Sequence, residues 1–152
     1  MIVYETGDIV ELAKQGKLQY LIHGCNCQST WGSGLAKQLK IEFPAAFEAD
    51  KNDKRTKSEK VGDFSHCKIG NLTIINAYTQ FDYGTNYRRA EYGSIKRAFE
   101  CIFSYWPYIQ DEKMATVKIG AGLGGGEWPI IEEIINEVIN FYGVNLYVLS
   151  KE

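Results

Sequence analysis

Residues 18–25, Leu-Gln-Tyr-Leu-Ile-His-Gly-Cys, make a run too apolar for a sheet face that meets water. Such a run marks a strand covered on both faces, which requires helices packed on both sides of a sheet. The rest of the chain alternates to supply them. MIVYE at the N-terminus reads as a strand stopped by Thr6-Gly7-Asp8, and Asp8 is placed to cap a helix over 9–15. A helix is predicted from Gly34 to Glu42, with Leu35, Leu39 and Phe43 on one stripe. Pro44 stops it and opens a second helix as its first residue. Residues 50–60 are polar and read as a loop or frayed helix end. Gly70-Asn71 joins two β-rich runs as a tight hairpin. Residues 79–89 read as a loop and 90–105 as a helix with Ile95, Phe99, Ile102 and Phe103 inward. A strand over 116–119 enters a glycine-rich loop, a helix opened by Pro129 ends near Gly143, and VNLYVLS closes the chain as a strand. The predicted fold is α/β, a three-layer α/β/α sandwich with a central mixed sheet.

The chain has 152 residues, 45% of them hydrophobic, which suits one domain over 1–152 with a real core. Net charge is −2. The one basic run, Lys51 to Lys57, carries an acid of its own and reads as a solvated loop, so no nucleic-acid face is expected. The N-terminus lacks the features of a signal peptide, and no window approaches the ~20 apolar residues of a membrane span. The four cysteines, Cys25, Cys27, Cys67 and Cys101, form no C-x-x-C. A reduced, cytoplasmic, monomeric protein is the expectation. His23, Cys25 and Cys27 alternate as on any strand edge, and neither a metal nor a cofactor is expected.

Two glycine loops carry the functional signal. In open α/β sheets, ligands sit outside the carboxyl ends of the strands. The first loop, Asn26 to Gly34, delivers the chain into a helix N-terminus, where unpaired N–H groups and the helix dipole favour an anion or a polyhydroxyl guest. The second, IGAGLGGGEWP, has five glycines between Gly120 and Gly126. Strings of amides in such turns make anion nests. No Gly-Lys-Ser/Thr follows, so it is not a Walker loop, and it stands in the wrong place for a dinucleotide fingerprint. Two clamps suit a diphosphate. Asp8 can accept from an adenine amine or cap its helix. Asn26 can bond a ribose or fix its own turn. Trp31, Tyr83 and Tyr87 can wall the cleft or join the core.

TGDIV after the first strand, HGCNCQSTWGSGLAKQL after the second and IGAGLGGGEW before the last helix together resemble the macrodomain, an ADP-ribose-binding α/β/α fold. The resemblance covers residues 2 to 149. It implies that Gly7, Asp8 and Ile9 hold the adenine, with Asp8 on the amine and Ile9 on the ring. Asn26 would bond the distal ribose, Gly32, Ser33, Gly34 and Leu35 would line that ribose and a phosphate, and Trp31 is a further ligand-binding candidate that could stack on a ring or wall the cleft. Gly120, Ala121, Gly122, Leu123, Gly124, Gly125 and Gly126 would cradle the diphosphate. The pattern looks most like the branch holding the yeast-type ADP-ribose 1''-phosphate phosphatase, beside terminal and DNA ADP-ribosyl glycohydrolases. The glycohydrolase lysine falls here on Gln80, which cannot form a Schiff base, and an acid of one glycohydrolase type falls on Gly124. His23 resembles the phosphatase branch's proposed catalytic histidine, with an ordinary pKa near ~6.5 suited to proton transfer. Asp82 and Glu127 are candidate carboxylates for activating water. The resemblance thus implies a hydrolase of ADP-ribose 1''-phosphate. Its alternatives are a glycohydrolase of ADP-ribosylated macromolecules, substrate-assisted with Asn26 and Asp82 nearby, and a binder of ADP-ribose without catalysis.

Overall fold

A computed structural model describes residues 1–83, 88–109, 111–122 and 124–151. Six strands form one sheet: β1 (Ile2–Thr6), β2 (Tyr20–Asn26), β3 (Phe64–Ile69), β4 (Leu72–Gln80), β5 (Met114–Thr116) and β6 (Leu146–Ser150). Their order is β1-β6-β5-β2-β4-β3. Every pairing is parallel except β3 with β4, the hairpin turned at Gly70 (φ 59°). The sheet is therefore mixed, with its antiparallel strand at one edge. β2 and β4, neighbouring interior strands, are buried along nearly their whole length.

The helices among the described residues are α1 (Ile9–Lys14), α2 (Gly34–Glu42), α3 (Pro44–Lys51), α4 (Lys57–Lys60), α5 (Tyr92–Tyr105) and α6 (Trp128–Tyr142). Residue alternation along the strands sends side chains to two separate cores. Tyr20, Ile22, Ile75, Ala77 and Met114 meet Ile95, Phe99 and Ile102 of α5 and Ile131, Ile135 and Ile139 of α6. Leu21, Cys25, Ile74, Tyr78 and Ala115 meet Ile9 and Val10 of α1, Leu39 of α2 and Ala46 of α3. Helices cover both faces, and the fold is the α/β/α sandwich. Local chemistry sets the helix ends. Pro44 opens α3, and Gly143 ends α6 in the left-handed conformation (φ 67°). No described helix is long and apolar enough to cross a membrane.

Three expectations change. The polar stretch 50–60 contains α4, which is opened by a reciprocal capping box between Thr56 and Glu59. Thr79 and Gln80 belong to β4 and not to the loop that follows. β5 ends at Thr116, because Ile119 N–H donates to Val117 O at 2.6 Å in a turn too tight for a strand.

Candidate ligand-binding cleft

A cleft of about 470 Å³ opens at the carboxyl ends of β2, β4 and β5. That size lies within the range of small-molecule sites, roughly 300–1,000 Å³. The first loop and the start of α2 form one wall, Gly120, Gly122 and Gly124 the other, and His23, Cys25, Thr79 and Gln80 also line it. The ladder between β2 and β4 slips at this point. Cys25 pairs with Tyr78 but Asn26 with Gln80, so Thr79 is an extra residue bulged over Gly24. A side chain on Gly24 would meet Thr79 Oγ1 at 2.9 Å. Glycine there is a packing requirement.

In the first loop, the Asn26 side chain is spent on the backbone. Its amide donates to Thr30 O at 2.9 Å, and its Oδ1 accepts from Gln28 N–H at 2.9 Å and Thr30 N–H at 3.3 Å. Ser29 takes a positive φ of 55° within this turn. Gly34 needs its glycine for φ 61°, whereas a side chain at Gly32 would meet nothing within 4 Å. Gly32 thus leaves bare backbone toward the cleft. Ser33 stands at the N-cap of α2 without a side-chain bond to it, and the first turn carries no acid. The positive end of the helix dipole faces the same space.

The second loop is a compact turn more than an extended nest. Gly126 N–H donates to Gly120 O at 2.8 Å and Gly125 N–H to Gly122 O at 3.1 Å. Arg89 and Ala90 N–H groups both donate to Gly124 O. Side chains at Gly124 or Gly126 would meet Gly120 O at 2.9 and 2.8 Å, and Gly120 (φ 77°) and Gly125 (φ 75°) need left-handed backbone. Only Gly122 of these five has open space around it. Most of the glycines are required by the loop's own closure, not by the approach of a guest. Ala121 packs on the α5–α6 core, and Gly125 and Gly126 do not line the cleft. Leu123 and Tyr87 lie outside the described residues.

His23 is only 1% exposed. Its Nε2 lies 2.7 Å from Asn76 Oδ1, which assigns the proton to Nε2, and its ring meets Trp31 edge-on at 4.8 Å. Burial pushes its pKa down to about 4, against a weaker opposing pull from Asn76. The ordinary value expected from sequence does not hold, because burial penalises the imidazolium by more than the Asn76 hydrogen bond and the Asp50 charge favour it. Burial likewise raises the Cys25 thiol well above its usual range and Cys27 to about 12, so neither is a thiolate at neutral pH.

The remaining candidates scatter. Asp8 caps α1, accepting from Val10 N–H at 3.0 Å and Glu11 N–H at 3.3 Å, and Lys151 Nζ stands 3.6 Å away. Gly7 N–H donates to Ser150 O, and Ile9 is in the core. None of these three is among the cleft-lining residues. Asp82 is exposed and faces Arg89 at 3.5 Å, and Glu127 is exposed at the N-cap of α6. Neither carboxylate lines the cleft. Tyr83 and Leu35 do. Lys118, Thr79 and Gly24 were not singled out from sequence. Lys118 immediately precedes the glycine run, and that adjacency was the available signal. Among the described lining residues there is no Asp or Glu, and Lys118 is the cation. Among the described residues, no three His, Cys, Asp or Glu side chains come together to hold a metal.

Comparison with known proteins agrees with this architecture. An uncharacterized 17.5 kDa protein from the tk-vs intergenic region of Enterobacteria phage T4 is 34% identical over 145 residues, 90% of this chain and 88% of that protein. An ADP-ribose 1''-phosphate phosphatase of Neosartorya fischeri is 63% identical over 27 residues, only 18% of this chain and 14% of the phosphatase. The macrodomain of Mycobacterium tuberculosis DarG superposes with a TM-score of 0.78 at 21% identity, over 100% of this chain and 99% of that one. A Trypanosoma brucei macrodomain, solved in complex with ADP-ribose, superposes with a TM-score of 0.70 at 11% identity, over 97% of this chain and 63% of that one. The family model for the Macro domain matches residues 22–135, from the middle of β2 into α6. With that match spanning both walls of the cleft, the chain belongs to the Macro domain family.

Proposed function

We propose that the cleft binds ADP-ribose through its diphosphate and distal ribose, and that the protein hydrolyses the phosphate ester of ADP-ribose 1''-phosphate. The observation that carries the binding is electrostatic and steric together. The cleft has no Asp or Glu among its described lining residues and is lined by the α2 N-terminus, by Lys118, and by two glycines, Gly32 and Gly122, where an added side chain would meet nothing within 4 Å. Backbone amides and a helix dipole favour a group that is both anionic and able to approach the main chain closely. The ADP-ribose complex of the Trypanosoma brucei relative and the short match to a phosphatase support the choice of ligand.

Hydrolysis needs water to attack phosphorus and the ribose oxygen to leave with a proton, yielding ADP-ribose and inorganic phosphate. The cleft supplies orientation and charge stabilisation. Gln80 stands where the glycohydrolases that this chain resembles carry a lysine. Its amide donates to Asp82 O at 2.6 Å and offers no amine, which favours the phosphatase over a lysine-dependent glycosidase. A second reading, binding without turnover, is favoured by His23: a buried imidazole with a pKa of about 4 is a weak base at neutral pH.

Calorimetry with ADP-ribose tests the binding, and phosphate release from ADP-ribose 1''-phosphate tests the chemistry. Binding with release supports the full proposal, and binding without release leaves the binder. No heat with ADP-ribose overturns both. Gly32→Val is expected to weaken ADP-ribose binding at least about tenfold while the protein stays folded, because its branches enter the space the guest requires.

A further inference from the structure

Beneath the first loop lies a buried charge that the cleft's own chemistry does not use. Asp50, near the end of α3, is 0% exposed. Its Oδ1 accepts from Lys60 Nζ at 2.8 Å and from the Tyr78 hydroxyl at 2.6 Å, and its Oδ2 accepts from the Trp31 indole N–H at 2.9 Å. Lys60, at the end of α4, is itself buried, with its ammonium 4.7 Å from the centre of the Tyr78 ring. The network continues from the Tyr78 hydroxyl to Ser65 Oγ at 2.8 Å. It passes from Ser65 to the Asn76 amide at 3.0 Å, and from Asn76 Oδ1 to His23 at 2.7 Å. Trp31 and His23 both line the cleft and meet edge-on. One buried carboxylate therefore reaches the same pair of rings by two routes.

A buried ion pair is a poor way to gain stability, since desolvation offsets most of its attraction and apolar replacements are often as stable. It is a good way to specify one geometry, because each partner must point at the other. Here the partners come from the first loop, α3, α4 and β4, and the one nearest the ligand space is a tryptophan in the loop whose backbone forms a cleft wall. We propose that Asp50, held by Lys60, is a positioning residue for the cleft and acts through the Trp31 indole to set the first loop for its ligand. The consequence for affinity rests on the ADP-ribose reading; the orientation of Trp31 does not.

The test uses the full chain with two substitution sets. Trp31→Phe removes the N–H donor and keeps a ring. Asp50→Leu with Lys60→Met removes the charge pair and the indole's acceptor while keeping side chains of similar shape and leaving no lone buried charge. In ligand-free protein, the Trp31 indole proton is followed by NMR. It is expected to exchange with solvent more than about tenfold faster in the protein carrying Asp50→Leu and Lys60→Met than in the parent. Each set is expected to weaken ADP-ribose binding about tenfold, and the two combined no more than either alone, because both cut one link. Unchanged indole protection, or losses that multiply to about a hundredfold, overturns the proposal. A parent that does not bind ADP-ribose overturns the ligand assignment instead, and indole exchange then decides the positioning role by itself.

Discussion

Burying the His23 imidazole beside Trp31 keeps it neutral in the folded protein down to a pH of about 4, while the unfolded chain takes up that proton near 6.5. Between those values the unfolded state binds more protons, so stability is complete above about pH 6.5 and is lost as pH falls toward 4. The displacement corresponds to about 3 kcal/mol. Urea unfolding of the parent is therefore expected to show a fall of that order between pH 7 and pH 4, and His23→Gln is expected to remove most of it. Equal pH slopes in the two proteins would refute the assignment. This state was not legible in the sequence. His23 was readable as a residue at the end of a strand, but its partner Asn76 lies 53 residues away and its cover, Trp31, comes from a loop. For Asn26 the sequence leaves two readings open, a ribose ligand and a turn of its own, and the structure commits the side chain to residues two and four positions on.

Among the elements, the hairpin and the helices other than the one-turn α4 were legible because local chemistry punctuates them: Asp8 caps α1, Pro44 opens α3, and Gly143 closes α6. These signals act within one turn of chain and need no tertiary partner. The glycine loop behaves differently. Its composition announced an unusual backbone, but which glycines serve closure and which face a guest depends on Ala90, Ile95 and Ile131 arriving from other elements. Gly126→Ala would bring a methyl to 2.8 Å from Gly120 O and 2.9 Å from Ile131 Cδ1, and is expected to cost about 1–3 kcal/mol. Gly122→Ala meets nothing and is expected to stay within about 0.5 kcal/mol of the parent while weakening ADP-ribose binding. Denaturant melts paired with calorimetry separate the two. Equal stabilities would mean that the loop relaxes freely, and a Gly122→Ala protein with parent affinity would remove that residue from the site.

At the scale of the molecule, the two cores are divided by one sheet and share its strands. Phe99→Ala on the α5 face and Leu39→Ala on the α2 face each empty a fully buried position. Losses of about 3–5 and 2–5 kcal/mol are expected, each in a single transition with an unchanged denaturant slope. Two separate transitions would show that the layers unfold independently. The layered α/β architecture followed from sequence alone, since an apolar run like that of β2 can be buried only between two helical layers and the periods of the flanking segments are written residue by residue. Family membership was legible for the same reason, because its motifs sit at strand ends in chain order. Only the tertiary structure decided that Thr79 bulges over Gly24, that Asp82 and Glu127 stay outside the cleft, and that Asp50, Lys60 and Trp31 converge beneath it. Those outcomes depend on which atoms meet across tens of residues and on how much water each meeting excludes, and neither quantity is a property of any stretch of chain read by itself.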